Sequence, residues 1–138
     1  MRLWHIDLVP YLPDMQLKGQ HRECCALRGN GWGKKHEVVN YVFTHHPALL
    51  YNYHVAIMNE MRARGVNVNE IWYDATHRGD KCEPYTQDEI HYENPTRYPE
   101  HNAAYLQECI LNLAEKGNEP FVYVASKVYG VTFNVQNR

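Results

Sequence analysis

Apolar positions recur at helical spacing in three stretches of this chain. The first follows Pro13-Asp14 and runs to Arg28, where Met15, Leu17 or Lys18, His21, Cys24 or Cys25, and Leu27 or Arg28 mark two contrasting faces. Asp14 is the expected N-cap, and Gly29-Asn30-Gly31 ends the helix. The second starts at Pro47 and carries Leu49, Leu50, Tyr53, Ile57, Met58 and Met61 toward Arg64. Proline suits a first turn, and Gly65 is a natural stop. The third runs from Pro99 through Ala103, Leu106, Cys109, Ile110 and Leu113 to Lys116-Gly117, with Lys116 against the carbonyl end of the helix dipole. Residues 38–43 fit a short buried helix or a strand, and periodicity does not choose between them. Residues 66–98 read as loops rich in acids and aromatics, and Phe121 to Val135 alternates as a β-hairpin or an extended packing arm would. The expectation is a mainly α fold. One compact domain over 1–138 would hold three main helices, an N-terminal arm and a short extended or β-like C-terminal segment.

Composition narrows this only a little. The chain has 138 residues, 44% of them hydrophobic and 22% charged, which is ordinary for a globular domain and excludes disorder or a collagen-like repeat. A chain of this size buries about two-thirds of its unfolded surface and needs no metal or disulfide to fold. No apolar run approaches the roughly 20 residues that span a bilayer, so no membrane partner is expected. Asp7 interrupts the first apolar patch, which argues against a signal peptide. Four cysteines without paired spacing point to reduced thiols, one of Cys24 and Cys25 packed and the other half-exposed, in a cytoplasmic protein.

Net charge is −2, which at first sight discourages a nucleic-acid partner. Its distribution says otherwise. Residues 1–36 carry six basic side chains against three acids, whereas residues 60–100 carry five against nine. One basic face can coexist with a negative total, with few phosphate contacts and ready loss of binding in salt. That basic end contains Arg22-Glu23 within the first helix, a carboxylate beside Arg22 and one turn from Arg28. It also contains Gly29-Asn30-Gly31-Trp32-Gly33-Lys34-Lys35-His36, where the glycines allow close backbone approach, Trp32 offers a stacking surface, and Lys34 and Lys35 suit phosphates. The spacing is not that of a nucleoside-triphosphate loop, and His36 stands where that loop has Ser or Thr. Arg62, Arg64, Lys116 and Lys127 are further phosphate-contact candidates, and Tyr51, Tyr53, Tyr92, Tyr98 and Tyr105 supply aromatic surface. The histidines lack zinc-ligand spacing, so no metal or organic cofactor is expected.

The order of these features resembles the pyrimidine-dimer DNA glycosylases of the phage endonuclease V type. The matching pieces are Leu8-Val9 and Leu12 in the arm, Asp14 and Leu17 where the first helix begins, and Arg22-Glu23 within it. Met61-Arg62-Ala63-Arg64-Gly65-Val66-Asn67 resembles the exit of that family's second long helix, and Tyr98-Pro99-Glu100-His101 the start of its third. The similarity covers roughly residues 1–117, carried by order and spacing rather than by one motif. It implies a small helical repair enzyme acting on damaged double-stranded DNA as a monomer. The N-terminal α-amine would form a Schiff base at C1′ of the sugar, assisted by a helix glutamate, giving glycosylase and AP lyase activity. Carried onto this chain, Met1 supplies the amine and Glu23 the carboxylate. Arg2 and Arg22 position phosphate or base, while Arg28, Trp32, Lys34 and Lys35 complete the expected DNA contacts.

The chain departs from the family pattern in several places. The family exposes a threonine by removing the initiator methionine, but Arg2 is too bulky for that removal, so Met1 would act with its own amine. An α-amine has a reference pKa of about 7.7–8.0, which leaves a neutral fraction at neutral pH. Gln16 and Ala26 stand in place of a family histidine and arginine, and the family's aromatic, basic tail has only a loose counterpart in Phe121, Tyr123, Lys127, Tyr129 and Phe133. Two rival readings remain. One is a DNA-binding or damage-sensing module of the same fold without lyase activity. The other is a metal-dependent hydrolase in which three of His36, His45, His46 and His54 converge with an acid.

Overall fold

Three long helices carry the computed structural model, which describes residues 2–29, 39–93 and 97–115. Helix α1 spans Asp14–Arg28, α2 Pro47–Ala63, the short α3 Gln87–Ile90 and α4 Ala103–Glu115. Single 3-10 turns cover Ile6–Tyr11, Asn40–Phe43 and Glu70–Tyr73, and there is no strand among the described residues. The stretch that periodicity left open is therefore helical at Asn40–Phe43. The expected extended or β-like C-terminal segment lies outside the described residues.

Local signals set the helix limits. Pro13, at φ −57° and ψ 151°, is the N-cap of α1, and its carbonyl accepts from Leu17 N at 2.9 Å. Asp14 is thus the first helical residue rather than the cap. It favours the positive end of the dipole from inside the first turn and binds Arg64 Nη1 at 2.8 Å. Pro47 begins α2 after His46, whose ring Nδ1 accepts from Ala48 N at 3.0 Å. Gly65, at φ +81°, closes α2, with Gly65 N bonded to Arg62 O and Val66 N to Met61 O, both at 2.9 Å. That pair of bonds is a Schellman motif, and its left-handed residue is one where glycine avoids a Cβ clash. Helix α4 starts later than Pro99, because Asn102 Oδ1 accepts from Tyr105 N at 2.9 Å and so caps the helix after a turn through Tyr98–His101. Thr86 and Glu89 form a reciprocal capping box around α3, a local signal present in the sequence within a stretch expected to be loop.

Helices α1 and α2 pack along each other, and the 3-10 turn of the arm lies against α2. Leu17, Cys24 and Leu27 of α1 meet Leu50, Tyr53, Ile57 and Met61 of α2 in one core cluster. Cys109, Ile110 and Leu113 of α4 join it, as do Leu3, Leu8 and Leu12 of the arm. Leu3, Leu8, Ile57 and Ile110 are each 0% exposed, so the arm is core rather than appendage. Arg64 bolts the arm to α2. Its guanidinium reaches Glu60, Asp14 and the carbonyls of Leu12 and Pro10 at 2.7–3.1 Å, which occupies a group expected to be available to phosphate.

Two glycines separate backbone need from empty space. Gly65 has positive φ and nothing within 4 Å of an added Cβ, whereas Gly19 lies inside α1 with only the tip of Arg22 at 3.8 Å. Gly65→Ala should cost about 1 kcal/mol and Gly19→Ala should gain about 0.5–1 kcal/mol in chemical denaturation. Equal effects of the two substitutions would contradict this assignment.

Candidate active site and its surroundings

Residues 2–5 lie outside any helix, with no strand among the described residues, and their backbone polar groups need partners. Side chains supply them. Gln20 of α1 donates through Nε2 to the Arg2 carbonyl at 2.8 Å and accepts from Trp4 N through Oε1 at 3.0 Å. Tyr53 of α2 brings its hydroxyl within 2.7 Å of both the Trp4 carbonyl and Gln20 Oε1. Tyr105 of α4 donates to the Leu3 carbonyl at 2.5 Å. Just ahead of α4, His101 accepts from Ile6 N on Nδ1 at 3.0 Å, while its Nε2 meets the Tyr41 hydroxyl at 2.8 Å. Gln20, Tyr53 and His101 are only 2%, 3% and 4% exposed. Burial first, then the neighbouring His5 ring and the Arg97 cation, push the His101 pKa down to about 4 and keep the ring neutral.

This arrangement lays the beginning of the chain along α1. Glu23 sits one turn beyond Gln20, about 4.5 Å along the helix axis and about 60° around it. Glu23 is half-buried and Arg22 exposed, and no hydrogen bond or ion pair among the described residues engages the Glu23 carboxylate. The Arg2 side chain turns the other way, onto Glu108 of α4 at 3.1 Å and over the Trp4 ring. Met1, Trp32, Lys34 and Lys35 lie outside the described residues. Among the described candidates, then, Arg2 backbone, Arg22 and Glu23 share one region.

Arg28 does not join them. It is 5% exposed and donates to the carbonyls of Trp72, Asp74 and His77 at 2.6, 2.7 and 2.9 Å. Its guanidinium also lies over the rings of Tyr51 and Trp72, so it gathers the 72–77 loop against α1 instead of facing solvent. The sequence suggested a DNA contact because a basic residue closing a helix is usually solvated; only the distant carbonyls reveal otherwise. A fourth Arg28 contact reaches His54 Nδ1 at 3.0 Å. Arginine can only donate, so that nitrogen accepts and neutral His54 carries its proton on Nε2. Nε2 then donates to His21 Nδ1 at 2.8 Å, leaving the His21 proton on the nitrogen that faces Cys25 Sγ at 4.0 Å. Burial and the adjacent Arg28 charge hold the His54 pKa down to about 2, and burial raises the half-exposed Cys25 thiol to about 11. Cys24 beside it is fully buried, as expected for one of the pair.

His21, Cys25 and His54 bring one ligand atom each within 4.8 Å of one another, a grouping that could surround a metal ion. Sequence spacing gave no hint of it, because His54 comes from another helix. A histidine ligating through Nε2 needs its proton on Nδ1. In His54 that proton would confront Arg28, a donor fixed by three carbonyls. The cluster is therefore built as a hydrogen-bonded chain rather than a coordination shell. The other histidines of the hydrolase reading disperse. His45 binds Glu100 at 2.9 Å, and His46 caps α2 and stacks on Tyr92 at 4.6 Å; His36 lies outside the described residues. Beside Cys25 a cleft of about 370 Å³ opens between Gly29, Trp72, His77, Arg78 and Cys82.

The family model described as pyrimidine dimer DNA glycosylase matches residues 1–74, which includes the arm, all of α1 and α2, and the Arg28 and His54 pair. No curated protein and no solved structure matches the chain significantly.

Two buried neutral imidazoles make stability depend on acid. The unfolded chain binds protons on His54 and His101 from about pH 6.5 downward, while the folded chain resists until about 2 and about 4. Each therefore withdraws up to ~1.4 kcal/mol of stability per pH unit as pH falls below 6.5. Denaturation between pH 7 and 4.5 should show a steep loss in the parent protein and a shallower one in His54→Gln. Parallel curves would refute the assignment.

Proposed function

Given that this chain belongs to the pyrimidine dimer DNA glycosylase family, we propose that it is a glycosylase and AP lyase whose nucleophile is the Met1 α-amine, assisted by Glu23. The observation that carries this reading is the Gln20 clamp. It holds the Arg2 carbonyl at 2.8 Å, one residue after the amine and one helical turn from a carboxylate that no hydrogen bond or ion pair among the described residues engages. Reference pKa values favour an α-amine over lysine as a nucleophile near neutral pH.

The chemistry follows from these groups. The neutral amine attacks C1′ of the damaged nucleotide, the C1′–N glycosidic bond breaks, and the base leaves with its bonding electrons and takes a proton. The amine nitrogen gives up a proton as the sugar ring opens, O4′ is protonated, and an imine to C1′ remains. That imine acidifies C2′. Loss of a C2′ proton and departure of the 3′ phosphate cut the strand by β-elimination, and water then hydrolyses the imine to free the amine. Glu23 stabilises the cationic sugar and imine and carries the protons. Exposed Arg22 contacts phosphate or base, and Lys34, Lys35 and Trp32 extend the contact along the glycine-rich segment. The partner is damaged double-stranded DNA, whose weakened pairing lowers the cost of displacing a nucleotide. The protein works as a monomer in the cytoplasm, with no cofactor.

Incubation with ultraviolet-irradiated and abasic duplexes in the presence of borohydride tests the reading. A covalent adduct should map to the Met1 peptide, and Glu23→Gln should slow cleavage by about 10²–10⁴-fold. Binding without a trappable adduct would favour the damage-sensing module, and undiminished cleavage by Glu23→Gln would remove the carboxylate from the mechanism.

A further inference from the structure

Resting on that reading, we propose that Gln20 is the positioning residue for the reacting amine, the side chain that sets where the first residue of the chain stands relative to Glu23. Gln20 is 2% exposed, and its amide bonds Trp4 N, the Arg2 carbonyl and Tyr53. A buried primary amide costs desolvation that an apolar residue of similar length would avoid. What it adds is direction.

Oε1 accepts from Trp4 N, Nε2 donates to the Arg2 carbonyl, and the one Tyr53 hydroxyl proton is shared between Oε1 and the Trp4 carbonyl. The reversed amide would set its NH2 against the Trp4 N–H and its oxygen against the Arg2 carbonyl. Only one orientation and one register of the arm satisfy the group. A slip of one residue would also bring Arg2 into the place of fully buried Leu3. Tyr105 closes the intervening carbonyl of Leu3, so residues 2–4 are fixed by one side chain from each of α1, α2 and α4. Of the three, Gln20 alone holds the carbonyl of Arg2, and the Cα atoms of neighbouring residues are about 3.8 Å apart. Gln20 is also the only clamp residue on the helix that carries Glu23, so it ties nucleophile and carboxylate to one rigid element. Misplacing a reacting group by about 1 Å can cost ~100-fold in rate.

The test uses the full chain, single-turnover cleavage of an abasic duplex at saturating protein, and borohydride trapping. Affinity is read separately on a duplex with a reduced, uncleavable abasic site, and folding by thermal melting. Gln20→Met keeps length and apolar fit while removing the clamp. Tyr51→Phe is the structural control, since it loses the hydroxyl bonded to the Tyr73 carbonyl and leaves every contact of the arm in place. Gln20→Met should cleave and trap about 100-fold more slowly with affinity within about 2-fold of the parent. Tyr51→Phe should melt at lower temperature yet cleave within about 5-fold of the parent. If Gln20→Met melts below the assay temperature, Gln20→Glu replaces it. It keeps the acceptor for Trp4 N but sets a carboxylate oxygen against the Arg2 carbonyl, and the same rate loss is expected.

A parent-like rate in the folded Gln20 variant overturns the positioning role. So does a rate loss that merely tracks lost affinity or the loss seen in Tyr51→Phe. The adduct site in the parent protein separates this from the underlying reading. An adduct mapped away from Met1 overturns both, while an adduct on Met1 with an unimpaired Gln20 variant overturns the positioning role alone.

Discussion

A buried, non-helical chain segment with no strand beside it among the described residues is the constraint around which this fold is arranged. Residues 2–5 place Leu3 and Trp4 in the core, and a buried peptide group left unpaired is costly. The usual partner would be a neighbouring strand. Here the partners are side chains, namely Gln20, Tyr53, Tyr105 and His101. The demand explains why an amide, two phenols and an imidazole sit beside Leu17, Ile57 and Ile110. It also explains why His101 remains neutral, since its Nδ1 must stay free to accept from the Ile6 amide.

Helix α1 mediates between two such polar structures. One face receives the arm through Gln20, and a neighbouring face, about 80–140° around the axis, carries His21, Cys25 and Arg28 toward the 72–77 loop. Arg28 is the second keystone, a buried cation whose hydrogen-bonding capacity goes into three carbonyls and one imidazole. Its always-donating guanidinium fixes the proton on His54 and, through it, on His21. That argument also separates the His21, Cys25 and His54 grouping from a coordination shell, although its dimensions would admit an ion.

Counting charge along the chain overstates the basic surface. Six basic residues in the first 36 suggested a phosphate-binding end, but Arg28 is interior and Arg2 is committed to Glu108. Arg64, from the next helix, is spent on holding the arm. Of the described basic candidates in the first helix, Arg22 is the one on the surface beside Glu23. A DNA-facing region with so few arginines would depend on the glycine-rich segment that follows α1, and on shape and nucleotide displacement more than on counterion release.

The sequence by itself determined the helices whose limits are local. Pro13 and Gly29 bound α1, and Pro47 and Gly65 bound α2, because proline and glycine act on their own backbone without help from the rest of the chain. It also placed Arg22-Glu23 within the first helix and carried the order of features that marks the family. Other features depended on partners far along the chain. Arg64 reaches Asp14 from 50 residues away, and the turn before α4 is tied to the arm through His101, although Asn102 caps α4 locally. The inward turn of Arg28 rests on carbonyls 44 to 49 residues away, and the part played by Gln20 on an arm 16 to 18 residues behind it. A buried polar side chain takes its meaning from the group it satisfies. That group is chosen by packing, so tertiary structure alone decided which arginines are spent inside the fold and how Arg2 is held against α1.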